Sequence, residues 1–419
     1  MNINKQGDLK MKKVLKILVV IILLNSNYAN YAYDEVYEEW EYVWVEEALE
    51  ESKHEKEPQV YSKSAVIYDR TSKTILWGKN ENEKLSMAST TKIMTAIVML
   101  EELGEENLNK EVVVCKEAAN MGGSRLGLHT NDKITYNDLL HGLMMCSGND
   151  AATQIAISIS GSVENFAEIM NNKAKELNLE NTHFVTPHGL DKEEHYTTAV
   201  ELAKISDYAL NIPKLAEVVK KQQYTVTING YPKAITNTNE LLGNLEGVNG
   251  IKTGFTNLAG RCLVTSVKRD EFEIITIVLG ADTKKIRTKD SIKLIEYAYK
   301  NYKLINLEEL VLEEYNSWCK INEKRIKINK GIKEKLKTYI ENGKYIKYPI
   351  KEDDVIVLET TANTAFEAPL KANTEVGKII IKQNDEIIDE ILIKIKNDIG
   401  KKEPKDYLLE MMELFKKII

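Results

Sequence analysis

Ala88-Ser89-Thr90-Thr91-Lys92-Ile93-Met94-Thr95-Ala96 puts a hydroxyl and an amine three residues apart at the head of an apolar run that continues to Leu103. The pattern predicts a helix over 90–103, and on a helix positions i and i+3 share a face. Lys92 can therefore aim its amine at the Ser89 hydroxyl. A serine hydroxyl is a weak nucleophile unless a base lies within hydrogen-bond reach. The amine must be neutral to serve as that base, and bringing a lysine from ~10.4 to about 7 requires roughly 4–5 kcal/mol of differential environment. Burial and a nearby second cation can supply it.

Two further short motifs follow in order. Ser147-Gly148-Asn149 falls in a loop between two helical patterns, and Lys252-Thr253-Gly254 falls on a strand edge. Lys252 is the candidate second cation. S-x-x-K alone is a weak signal, because Ser317-Trp318-Cys319-Lys320 matches it too, in sequence that reads as strand-like with no partner motif downstream. The ordered set on helix, loop and strand edge is specific. A closely similar trio is a known signature of penicillin-binding proteins and class A β-lactamases.

The matching text extends beyond the trio. It takes in Met144-Met145-Cys146-Ser147-Gly148-Asn149-Asp150-Ala151-Ala152, Thr186-Pro187-His188-Gly189-Leu190-Asp191, and Gly250-Ile251-Lys252-Thr253-Gly254-Phe255-Thr256 with Ala259-Gly260. The chain resembles the low-molecular-weight penicillin-binding proteins that are serine D-Ala-D-Ala carboxypeptidases, over roughly residues 59–395. That resemblance implies removal of the terminal D-alanine from peptidoglycan pentapeptide stems, through an acyl-enzyme on Ser89 that penicillins also form. Lys92 would be the general base and Ser147 the proton relay to the departing amine. Asn149 would hold the substrate amide, and Lys252 and Thr253 its terminal carboxylate. Gly254 would let the strand backbone come close. The amides of Ser89 and Phe255 would form an oxyanion hole, at roughly 3–4 kcal/mol per donor. No metal or cofactor is implied. The alternatives are a β-lactamase and a non-catalytic peptidoglycan-binding protein. Against the first, Gly148 stands where those enzymes usually carry Asp, and Glu168 and Asn172, which formally match E-x-x-x-N, continue a helical pattern.

Working outward, Ser64–Tyr68 and Thr74–Trp77 read as two strands, and Phe272–Leu279 as a late one. Helical patterns between them cover 135–170 and 198–210, and another spans 286–302. Strands at both ends with helices between imply an α+β core in which the terminal strands share one sheet. The family resemblance implies more: an antiparallel sheet beside a helical lobe, the penicillin-recognising serine transpeptidase/β-lactamase-like domain. From about Ile305 the texture is β-like, and Ala368-Pro369-Leu370-Lys371 through Val376-Gly377 resembles the family's C-terminal β-domain. Residues 404–419 form an amphipathic pattern with Leu408, Met411, Met412, Phe415 and Ile419 on one face. The expected divisions are 1–32 signal peptide, 33–58 acidic linker, 59–303 catalytic domain, 304–398 β-domain and 399–419 amphipathic helix.

The first 32 residues hold five lysines against one aspartate, then the apolar run Ile17–Leu24 and the small residues Ala29 and Ala32. This reads as a secretory signal, too short to span a bilayer that takes roughly 20 residues; Met11 is an alternative start. Residues 33–57 hold eleven acids against two lysines and read as a solvated linker, with a partial helix over Val45–Lys53. With a net charge of -7 concentrated there, the body has no basic field for nucleic acid. Expected partners are the stem peptide, β-lactams as inhibitors, and the cytoplasmic membrane surface through the tail, at the extracytoplasmic face of the membrane or in the cell wall. Cys115, Cys146, Cys262 and Cys319 lack C-x-x-C spacing, and the first three sit in apolar surroundings as buried thiols. The six histidines show no metal spacing, and a lysine base makes a histidine base unnecessary.

Overall fold

The computed structural model describes residues 44–54, 56–322, 325–332 and 335–418; the expected signal lies outside them. The chain divides into two compact units, the second beginning at Asn301 and also including Thr71–Lys73. In the first unit, strands β1 (Ser64–Asp69) and β2 (Ile75–Lys79) join three late strands, β7 (Val248–Thr256), β8 (Gly260–Arg269) and β9 (Phe272–Ala281). They form one sheet in the order β2-β1-β9-β8-β7, antiparallel throughout. The early and late strands do share a sheet, so chain ends far apart in sequence build one floor.

Strand side chains alternate between faces. Ile275, Ile277 and Leu279 of β9 belong to the large core shared with the helical lobe, whereas Ile274 and Val278 are buried on the opposite face. The lobe comprises α2 (Lys92–Leu103), α3 (Lys116–Ala119), α4 (Tyr136–Met144), α5 (Asn149–Ser160), α6 (Val163–Glu176), α7 (Ala199–Leu210) and α8 (Pro213–Val219). Thr135, Ser162 and Thr198 cap α4, α6 and α7 through their hydroxyls, the expected use of such residues at helix starts. Two short hairpins, β3 (Glu111–Val113) with β4 (Lys133–Thr135) and β5 (Gln223–Ile228) with β6 (Tyr231–Thr236), lie within the same unit. The opposite face carries α9 (Lys284–Asn301), tied down by Asp290 accepting from the Ser62 amide and hydroxyl and by Tyr299 donating to Val267 and Phe272.

The acidic segment is not a solvated linker throughout. Residues 44–54 form a helix, α1, that buries Val45 and Ala48, while Glu47 and Glu51 pair with Lys285, Lys289 and Lys293 of α9. The acids on α1 answer a row of lysines whose spacing on α9 exposes them on one side.

The second unit is built on a four-stranded antiparallel sheet, β12-β17-β16-β14, from Thr338–Ile340, Glu386–Ile395, Glu375–Gln383 and Ile356–Ala362. Pairs β10–β13 (Tyr302–Asn306, Lys347–Lys351) and β11–β15 (Lys327–Asn329, Ala365–Glu367) complete its strands. Asn384 and Asp385, both at positive φ, turn the β16–β17 hairpin. One departure from expectation is α10 (Leu307–Asn322): the Ser317–Lys320 stretch read as strand-like is helical, because Leu307, Val311 and Trp318 return to one buried face at helical intervals. The tail is α11 (Pro404–Ile418), with Leu408, Leu409, Met411, Met412, Leu414 and Phe415 all more than half exposed.

Candidate active site

Ser89 lies on a tight 3-10 turn, Ala88–Thr91, and Lys92 is the first residue of α2. Thr90 and Thr91 return their hydroxyl hydrogens to the carbonyls of Met87 and Ala88 at 2.6 and 2.8 Å, which fixes the turn. Lys92 is wholly buried, and its Nζ has three partners: Ser89 Oγ at 2.7 Å, Asn149 Oδ1 at 2.7 Å and the His188 carbonyl at 2.9 Å. Two of these can only accept. A neutral amine has two hydrogens and one lone pair, so the hydrogens go to Asn149 and His188 and the lone pair faces the Ser89 hydroxyl. Burial, helped by the Lys252 charge, pushes Lys92 well below the ordinary lysine range. The lone pair of the uncharged amine is thus already aimed at Ser89.

The second motif joins α4 to α5. Ser147 sits at φ 61°, a left-handed conformation uncommon for a residue with a side chain, and is buried. Asn149 was expected to hold a substrate amide. In the structure its oxygen takes the Lys92 hydrogen while its Nδ2 donates to the Gly122 carbonyl at 2.7 Å, so both ends of its amide are occupied by protein. The next residue explains how that loop is held. The buried Asp150 carboxylate accepts from the amides of Leu126, Gly127 and Leu128 at 2.8, 2.7 and 3.0 Å. The signal for Asp150 in the sequence is its place in the first turn of a helix directly behind a motif.

The third motif lies on β7, the edge of the five-stranded sheet. Lys252 is buried, its Nζ donates to the Thr253 carbonyl at 3.1 Å, and burial pushes it down to about 7, with Arg287 acting in the same direction. Arg287 itself is paired inside the protein with Glu240. Thr253 Oγ1 shares a hydrogen with Thr238 Oγ1 at 2.7 Å. The need for glycine at 254 is an approach to the protein's own backbone: a Cβ there would stand 3.1 Å from the Ser89 amide nitrogen and 3.2 Å from the Met87 carbonyl. Phe255, next along, turns its ring to the other side of the strand, where the Arg261 guanidinium lies 3.7 Å from the ring centre.

A fourth piece came from the family-like stretch 186–191. Thr95 donates to the Pro187 carbonyl at 2.6 Å, His188 offers its carbonyl to Lys92, and Gly189, at φ +82°, fits against the nucleophile turn where a Cβ would fall 1.9 Å from the Ala88 carbonyl. The histidines here are not bases. Burial pushes His188 down to about 3 and His195 to about 4, and His195 Nδ1 accepts from the Val185 amide, which leaves its Nε2 to meet Thr91. The second S-x-x-K has Ser317 and Lys320 exposed on α10, in the other unit. Glu168 and Asn172 are exposed on α6, a helix rather than a loop beside the nucleophile. Among the described residues all four cysteines are free thiols and no group of metal-ligating side chains gathers.

A family profile described as D-alanyl-D-alanine carboxypeptidase matches residues 51–283. The chain is 32% identical to the D-alanyl-D-alanine carboxypeptidase DacF of Bacillus subtilis, over 84% of this chain and 90% of that one. Among solved structures, penicillin-binding protein 5 of Haemophilus influenzae aligns with a TM-score of 0.67 at 26% identity, covering 83% of this chain and all of that one. The Streptomyces K15 DD-transpeptidase aligns at 0.56 and 31% identity, covering 59% of this chain and all of that one. Likeness that runs through both units, around a serine with a buried lysine at its side, settles the lineage: this chain belongs to the D-alanyl-D-alanine carboxypeptidase family of serine peptidases.

Proposed function

We propose that the chain removes the terminal D-alanine from peptidoglycan stem peptides by acyl transfer to Ser89. The observation that carries this reading is the Lys92 amine, 2.7 Å from Ser89 Oγ and pushed well below the ordinary lysine range by burial. Lys92 takes the Ser89 proton as Oγ attacks the carbonyl of the penultimate D-alanine. The oxyanion that forms is held by the Ser89 and Phe255 amides. The peptide C–N bond then breaks, and the departing amine takes a proton relayed through Ser147. Water, deprotonated by the same amine, cleaves the ester and restores Ser89. The positive Lys252 and the Thr253 hydroxyl receive the substrate's free carboxylate. Asn149 acts first on Lys92, whose hydrogen it accepts, and its contact to substrate would require that bond to be exchanged. A β-lactam follows the same first step and stalls at the ester.

We assign the catalytic domain to 59–303, the β-domain to 304–398 and a membrane-surface helix to 399–419, in a protein exported behind a signal at 1–32. The exposed apolar side of α11 supports the membrane part of this reading. No helix among the described residues is long and apolar enough to cross a membrane, so the tail would lie on the surface.

Fluorescent penicillin should label the purified protein on the peptide containing Ser89, and a peptide ending in D-Ala-D-Ala should yield free D-alanine. Ser89→Ala should lose both, and Lys92→Ala should lower kcat by about 10²–10⁴-fold, the usual range for a positioned base. D-alanine release that survives Ser89→Ala would overturn the assignment.

A further inference from the structure

The edge strand that would supply one oxyanion donor has a sheet neighbour on one side only, β8. Its last residues need a second restraint if the Phe255 amide is to stand at a fixed distance from the Ser89 amide. One comes from across the cleft. Asp191 Oδ1 accepts from the Thr256 hydroxyl at 2.6 Å, and its Oδ2 accepts from the Leu258 amide at 3.3 Å. The Thr256 hydroxyl oxygen in turn accepts from the Ala259 amide at 3.1 Å, so the β7–β8 turn is closed around that side chain. Asp191 ends the stretch whose His188 carbonyl holds Lys92 and whose Gly189 is seated on the Ala88 carbonyl. A single short segment therefore grips the base, abuts the nucleophile turn and, through one carboxylate, holds the strand end facing them.

We propose that Asp191 is a positioning residue for this reaction: its carboxylate latches Thr256 and thereby sets the separation of the two oxyanion-binding amides. The inference rests on the acyl-transfer reading above. Asp191 touches neither the nucleophile nor its base, so its effect on the reaction is on transition-state geometry rather than on capture of the substrate's carboxylate. An oxyanion donor acts only as charge develops, and removing one costs about 10²–10³ in kcat. A displaced donor costs part of that.

The test uses the full chain in four variants, Asp191→Ala, Asp191→Asn, Thr256→Val and the Asp191→Ala/Thr256→Val pair. The readouts are kcat and KM on a D-Ala-D-Ala peptide, the acylation rate with fluorescent penicillin, and thermal unfolding. Asp191→Ala and Thr256→Val should each lower kcat and the acylation rate by about ten- to a hundred-fold, with KM within about threefold. The losses in the pair should fall well short of the product of the single losses, since both single variants break the Asp191–Thr256 bond, while each also removes one bond of its own, Leu258 to Asp191 or Ala259 to Thr256. Asp191→Asn keeps a carbonyl oxygen for the Thr256 hydroxyl but turns an NH2 toward the Leu258 amide, so it should recover part of the loss, with kcat clearly above that of Asp191→Ala. The latch is overturned if both single variants keep kcat within twofold, if their losses multiply in the pair, or if Asn rescues nothing in a protein that melts normally. Should Asp191→Ala fail to fold, Thr256→Val, close in shape, carries the test. Wild-type protein that takes no label fails the acyl-transfer reading itself; labelled wild type with indifferent variants fails only the latch.

Discussion

Lys92 is wholly buried, and the proposed chemistry turns on what that does to its amine. Burial, with the Lys252 charge beside it, pushes that amine well below the ordinary lysine range, and burial pushes Lys252 down to about 7. The signs are opposite. The base acts once deprotonated, so activity rises with pH through the Lys92 transition; the carboxylate site needs the Lys252 ammonium, so kcat/KM falls as pH passes about 7 in the free enzyme. A bell-shaped profile is expected, and Lys252→Arg should lose its alkaline limb at the expense of a higher KM, since a guanidinium stays charged. A single measurement series of kcat/KM against pH for the two proteins checks this. Gly254→Ala puts a methyl 3.1 Å from both the Ser89 nitrogen and the Ala88 Cβ and 3.2 Å from the Met87 carbonyl oxygen, none of them the end of a flexible side chain. It should lower the penicillin acylation rate by about 10²-fold or more while the protein still folds, judged by its unfolding midpoint. The i, i+3 pair was legible from sequence because helix geometry alone puts those positions together. Asn149 against Lys92, Asp150 beneath its loop and Asp191 on Thr256 were not, because each joins segments far apart in the chain and no local spacing encodes them.

Periodicity served well where one face is buried against one partner. The helices that begin at Lys92, Asn149 and Ala199, and the three long strands at the end of the catalytic unit, follow the pattern of their apolar residues. It was weaker where charge dominates the count. In 44–54 only Val45, Ala48 and Ser52 are turned inward, a thin stripe among acids, yet the partial helix expected over Val45–Lys53 is present. In α10 the glutamates at 308, 309, 313 and 314 dilute an otherwise regular helical face. The docked α1 carries its own prediction. A chain beginning at residue 57 should keep its activity but lose about 2–3 kcal/mol from the Val45 and Ala48 contacts. At about 2–4 °C per kcal/mol for a unit of this size, unfolding should come roughly 5–10 °C earlier. The glutamates of the pairs with the α9 lysines are half-exposed, although Lys289 and Lys293 are largely covered, so the pairs contribute less than the apolar contacts. The loss should therefore persist at 1 M salt, where the Debye length is about 3 Å; calorimetry of both chains at low and high salt decides it.

At the scale of the whole molecule the chain is a catalytic unit, a β-rich unit and a tail whose apolar side no described residue covers. The tail from Pro404 to Ile419 holds three lysines and three acids, so any hold it has on lipid must be apolar rather than electrostatic. Sedimentation with phosphatidylcholine vesicles should match that with vesicles rich in phosphatidylglycerol, survive 0.5 M salt, and vanish on removal of 404–419. Binding that needs anionic lipid would count against the surface-helix reading. The two-unit plan was legible from the motifs and the late β-like texture. The β7 edge has a consequence of a different kind for drug escape. An inhibitor that pairs with an open strand edge grips peptide groups, and those are common to every residue type but proline, which lacks the N–H. Other codon changes can redecorate the rim but cannot delete an amide, and Gly254 cannot even be redecorated without disturbing the serine beside it. Resistance arising in this protein should therefore appear as slower acylation that also burdens its natural reaction, seldom as clean loss of drug recognition.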